Sequence, residues 1–261
     1  MRISAFFVPF LTVLAGVGGF FLRLSERANV FDALTGLPGR NAATTVTLIL
    51  ITAAFMAGIL IFAIIAASKH KALPGFENAF GTDPYIYPVI FIGIGVAWLI
   101  GTFLYFLGLN AHGEFTLIDI IFMIFSALSA ISVAFFAIEM YQDSRRNAPY
   151  ALCVVPTLFM CFWLIYVYRL NASNPILLSF IYQSFAIIAS ALSFYFTAGF
   201  LYGKPSPGKA IVAHYTAIYF CIVTLADGHQ PGITIIFCAL VAANLVHSSM
   251  LLWNLQSKRL R

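Results

Sequence analysis

The chain has 261 residues, of which 62% are hydrophobic and 9% charged, with a mean hydropathy of +0.96 and a formal net charge of +5. Soluble domains carry roughly 25% charged residues, so this composition belongs to the membrane class and excludes a water-surrounded catalytic domain. Fourteen basic residues scattered over short connections form no nucleic-acid face and read as topology signals instead.

A bilayer-crossing helix needs about 20 consecutive, mostly apolar residues. In chain order, eight such stretches fall at about 3–22, 42–67, 85–108, 117–138, 149–168, 175–200, 209–226 and 233–254. This predicts an all-α fold: one transmembrane domain over residues 1–261, a polytopic bundle of eight helices. The first span, with Arg2 ahead of a short apolar core, reads as a retained helix rather than a cleaved signal peptide. Turn formers punctuate the intervals: Pro74-Gly75, Asp83-Pro84, Asn110, Asn174-Pro175, Pro205 to Gly208 and Pro231-Gly232.

Eight spans put both termini on one side. That side carries Arg2, Lys69, Lys71, Arg145, Arg146, Lys204, Lys209, Lys258, Arg259 and Arg261; the other carries Arg23, Arg27, Arg40 and Arg169. Ten basic residues against four predict cytoplasmic termini, although three of the four dissenters crowd the first connection.

That first connection contains Phe31-Asp-Ala-Leu-Thr-Gly-Leu-Pro-Gly-Arg40. The phrase resembles the opening of a diguanylate cyclase domain, and His112-Gly-Glu-Phe115 echoes that family's signature loop. The context rejects the likeness. Residues 40–112 run through two spans, one glycine and one carboxylate of the signature are missing, and no acidic metal-binding strand follows. The same loop, between a first and a second span, also resembles one in uncharacterised polytopic membrane proteins of clostridial bacteria. That resemblance covers about residues 20–60 and implies a bacterial plasma membrane, with no activity attached. Physically, Pro38-Gly39 is tight-turn chemistry, Asn41 or Thr44 can cap the second helix, and Asp32 can pair with Arg40 or Arg27.

No acid or base lies in the middle of a predicted span, which argues against an ion-coupled pump. Histidine remains. His214 and His247 fall at similar depth on the last two spans, in the half nearer the termini, and Asn244, His247 and Ser248 share a helix face at i, i+3 and i+4. Thr157, Ser193 and Tyr195 are expected in the same layer. The candidate ligand-binding set is therefore His214, Asn244, His247, Ser248, Thr157 and Tyr195. Its competing explanation is interhelical hydrogen-bond glue. Glu139 is the one carboxylate expected near enough to complete a metal site, and no metal or other cofactor is expected. The tyrosines and Trp253 are read as an interfacial belt, and Gly16, Gly18, Gly19, Gly93, Gly95 and Gly101 as close-packing points.

Three functions remain open. The first is a permease-like or small-ligand-binding membrane protein using the inner polar layer. The second is a scaffold subunit docking another membrane protein. An intramembrane enzyme ranks third, since neither a Ser-His-acid pattern nor H-E-x-x-H is visible. The expected partners are the lipid bilayer and either a small-molecule ligand or another membrane subunit, with no nucleic acid.

Overall fold

The computed structural model describes residues 4–31, 43–69, 75–81, 86–112, 116–141, 150–174 and 176–257. Its helices are α1 (Ser4–Asn29), α2 (Ala43–Lys69), the short α3 (Phe76–Phe80), α4 (Ile86–His112), α5 (Leu117–Tyr141), α6 (Val155–Leu170), α7 (Ile181–Leu201), α8 (Pro207–Thr224) and α9 (Pro231–Ser257). Short 3-10 turns precede α6 and α7 and follow α8. Eight of the helices are long and apolar enough to cross a membrane. The fold is all-α.

Helices α4 to α9 close into a ring in which each packs on its chain neighbour and α9 returns to α4. Helix α1 lies against α8 and α9, and α2 against α1 and α8. Lipid inverts the usual sorting: α8 is the least apolar span and the most buried, whereas α2 is the most apolar and the least buried. The central helix can carry polar side chains because other helices cover it.

The inside of the ring is filled with aromatic rings. Trp98 lies 6.0 Å from Phe159 and 6.4 Å from Phe194; Phe122 packs on Phe159 and Trp163; Trp163 stacks on Phe237 at 5.0 Å. Indole needs a polar partner when buried, and Trp98 finds one by donating Nε1–H to Ser126 Oγ at 3.0 Å.

The glycines divide by face. A side chain at Gly95, Gly101, Gly16 or Gly19 would strike a neighbouring helix, and the limiting atoms at Gly95 and Gly101 are the carbonyls of Ala130 and Gly232. These glycines set the α4–α5, α4–α9 and α1–α8 spacings. Gly18 and Gly93 were expected to do the same, but among the described residues they face open space, one residue round the helix from Gly19 and two from Gly95.

Three expectations change. Helix α1 runs to Asn29 rather than ending near residue 22, so Arg23 and Glu26 lie on a helix and not in a loop. Helix α3 was not expected; five residues carry no periodic signal, yet Phe76 and Phe80 are buried against α5, α7 and α9. Of the supposed belt, Tyr105 and Tyr166 are buried, whereas Tyr168 is exposed. The segment 32–42, including the Asp32 pairing and the helix cap at Asn41, lies outside the described residues.

Pro156 explains one contact between helices. Lacking an N–H, it cannot satisfy the Leu152 carbonyl one turn earlier, and the preceding residues wind as a 3-10 turn. The Ser132 hydroxyl of α5 donates to that carbonyl instead. Ser132→Ala should therefore cost about 1–3 kcal/mol, and the cost should shrink in a Pro156→Ala background that restores the N–H. Thermal unfolding of the two single variants and the double variant in detergent measures the coupling.

Candidate functional site

Helices α7, α8 and α9 bring the predicted histidines together. His214 and His247 are both fully buried, with ring centroids 5.5 Å apart. His214 Nδ1 lies 2.8 Å from Asn244 Oδ1, and Thr197 Oγ1 lies 3.2 Å from His214 Nε2. Proton counting assigns the tautomer. The Asn244 amide donates its Nδ2–H to the Leu240 carbonyl, which leaves Oδ1 to accept from the Nδ1–H of His214. Nε2 then carries the lone pair. Thr197 has one hydroxyl hydrogen for two acceptors, His214 Nε2 and the Ser193 carbonyl at 2.8 Å. The network is one hydrogen short at that point.

His247 is the unusual member. Neither of its ring nitrogens has a hydrogen-bond partner among the described residues. Phe91, Phe80, Phe136 and Phe194 surround it, with centroids 4.6, 5.3, 5.4 and 6.4 Å away. Phe80 comes from α3, whose C-terminal end is held by Asn254 Nδ2–H donated to the carbonyls of Ala79 and Gly81 at 2.9 and 3.1 Å. Helix α3 thus covers His247 from the side of the termini.

The remaining predicted residues divide. Ser248 is buried on the same face, but its hydroxyl returns to the Leu245 carbonyl at 3.1 Å; the buried Tyr215 hydroxyl nearby has no hydrogen bond of normal geometry. Ser193 is buried and bonds to the Ser190 carbonyl. Thr157 follows Pro156 with its hydroxyl buried and unpartnered among the described residues, and no contact joins it to either histidine. Tyr195 does not belong: it is 60% exposed on the outer face of α7, its ring against Phe196. The Glu139 side chain lies outside the described residues. Among the described residues, no group of three His, Cys, Asp or Glu is placed to hold a metal.

Sequence reasoning missed a second polar cluster at the opposite end of the bundle. Arg23 is 1% exposed. It donates Nε–H to Asp227 Oδ1 at 2.7 Å and an η-hydrogen to Glu26 Oε2 at 2.6 Å, and it caps the Leu178 carbonyl at 2.9 Å. Its guanidinium also lies 4.7 Å above the Tyr182 ring. One side chain of α1 thereby joins the start of α7 to the α8–α9 turn. The turn closes on Gly228, whose φ of 71° suits glycine, and Arg27 donates to the Ala226 carbonyl beside it at 3.2 Å. The Thr224 hydroxyl donates to Asp227 Oδ2 at 3.0 Å, so it accepts from His229 Nε2 at 2.9 Å. Burial holds the His229 imidazole below the usual histidine range, against the opposing pull of the Asp227 carboxylate.

A third network caps α5. Thr116 donates both its N–H and its hydroxyl to Asp119, the first bond being half of a capping box. Tyr166 donates to the other Asp119 oxygen and accepts from Tyr105 at 2.6 Å. Asp119 is 5% exposed and takes hydrogen bonds from three donors.

Two outcomes follow for the Arg23 cluster. Arg23→Met leaves two carboxylates buried without their cation and should cost about 3–5 kcal/mol; Glu26→Gln should cost less, because Arg23 keeps Asp227. Thermal melts in detergent rank the two. Between the unfolded histidine value of about 6.5 and its lower folded value, the unfolded chain binds more protons, so His229 makes stability rise with pH. The melting temperature should fall from about pH 7 to about pH 5, and His229→Gln should shallow that fall. The functional reading rests on this geometry, for no family model, curated protein or solved structure matches the chain.

Proposed function

We propose that this multi-pass membrane protein is a permease-like or small-ligand-binding protein whose site is the inner polar layer around His214, Asn244, His247 and Ser248, closed in this state by α3. The observation that carries the reading is the His247 imidazole, fully buried with both nitrogens unbonded among the described residues. Buried polar groups are nearly always satisfied, and an unsatisfied one costs about 1–3 kcal/mol. Glue would bond; this ring does not. A residue kept at such a cost suits a group whose partner arrives from outside, by way of the Phe80 face of α3.

The charge asymmetry supports cytoplasmic termini in a bacterial plasma membrane. Of the four dissenting basic residues, Arg23 is buried against Glu26 and Asp227, whereas Arg27 keeps its charge while donating to a carbonyl, so the ten-to-four count is what carries the orientation. The clostridial likeness of the first loop points to the same compartment. The scaffold reading draws on Gly18 and Gly93, which face outward and meet no neighbour among the described residues; an enzyme finds no support beyond the histidines themselves.

The test pairs stability with binding. His247→Leu removes an unsatisfied group from an apolar cage and should leave the melting temperature unchanged or higher, whereas His214→Leu orphans Asn244 and should lower it. Native mass spectrometry of the purified wild type should show a stoichiometric non-lipid adduct that the folded His247→Leu protein lacks. A lower melting temperature for His247→Leu together with a clean apo mass for the wild type would make the histidines structural and overturn the proposal.

A further inference from the structure

A cavity of about 520 Å³ opens on the outer surface of the bundle between α2 and α7, with α8 as its floor. Its base is made of small residues, Ala63, Ala189 and Ala213, all buried, and its rims of Leu60 and Leu192, both about half exposed. On α8 it runs from Gly208 and Lys209 to Thr216, and on α2 from Ala67 to Leu60, a depth of ~10 Å along either helix at 1.5 Å per residue. The slot is dry in character. The Thr216 hydroxyl is directed to the Met56 sulfur at 3.5 Å, so the single hydroxyl of the lining is engaged.

Charge gathers at one end alone. Lys209 is exposed at the mouth, and Lys204 is exposed in the turn leading to α8. No acidic residue occurs anywhere on α2, α7 or α8 to oppose them. An apolar slot ~10 Å deep, opening sideways into lipid and ending under a cation that no acid of its three lining helices opposes, matches one molecule in both its parts. The geometry points to a bound anionic phospholipid, one acyl chain lying in the slot over α8 and its phosphate paired with Lys209. The lipid comes from the leaflet on the side of the termini, where α2 ends and α8 begins. This site is separate from the histidine layer and does not depend on the function proposed for it.

The test is lipid retention. The purified protein is exchanged into nanodiscs of dioleoyl phosphatidylglycerol or dioleoyl phosphatidylcholine, re-extracted with delipidating detergent and weighed by native mass spectrometry. The wild type should keep one phosphatidylglycerol under conditions that strip phosphatidylcholine. Lys209→Ala should lower that retention roughly fivefold, since one basic residue near a membrane surface is worth about 1 kcal/mol. Ala189→Phe should abolish retention of both lipids by filling the base of the slot. Leu60→Trp, on the half-exposed rim, should do the same without disturbing the core, and it decides the question if Ala189→Phe does not fold. Equal retention of the two lipids by the wild type, unchanged retention in Lys209→Ala, or full retention in folded Leu60→Trp would each reduce the slot to ordinary annular contact and overturn the proposal. So would release of the lipid by inorganic phosphate alone, which would make the cation the whole site.

Discussion

Hydrocarbon offers no hydrogen bonds, and much of this structure follows from that one deprivation. Each polar group placed in the bundle must find its partner within the chain. The carbonyl stranded by Pro156 is met by a serine of the neighbouring helix, the Trp98 indole by Ser126, Asp119 by three donors, and Arg23 by two carboxylates and a carbonyl. The same rule orders the helices: those richest in polar side chains stand inside, and the most apolar one faces lipid. Among the described residues a few buried atoms break this rule, the Thr157 and Tyr215 hydroxyls included, and His247 is the one side chain that breaks it at two atoms.

The architecture was legible because long apolar runs have one solution in a bilayer. Five of the eight spans lie close to where hydropathy places them, and α1 overruns its expected end by about two turns. The starts of α6 and α7 differ because Pro156 and the Asn174-Pro175 break wind the approach as 3-10 turns, which a hydropathy window cannot distinguish from helix. Helix α3 was illegible for a different reason. Five residues are too few for periodicity, and burial of its phenylalanines is decided by α5, α7 and α9.

The candidate site was legible in part. Matching His214 and His247 by depth and placing Asn244 at i−3 of His247 needed only helix geometry, and the structure joins all three. Tyr195 failed by the same geometry: it stands about 200° around the helix from Ser193, so the two cannot share a face. Thr197, the actual partner of His214, fits that face at i+4 from Ser193. The Arg23 cluster lay beyond any local rule, since its principal partner is Asp227, 204 residues away.

That distance bears on how the protein is made. A chain inserted from its N-terminus offers α1 to the membrane long before α8 exists. Until Asp227 emerges, Arg23 has only Glu26, one turn along the same helix, as a counter-ion. This local pair offsets one of the two arginine charges at that end of the early helix, which can wait at the bilayer surface. Final seating of the first helix is thus reserved for the arrival of the last hairpin, and the order of synthesis and the order of assembly run in opposite directions.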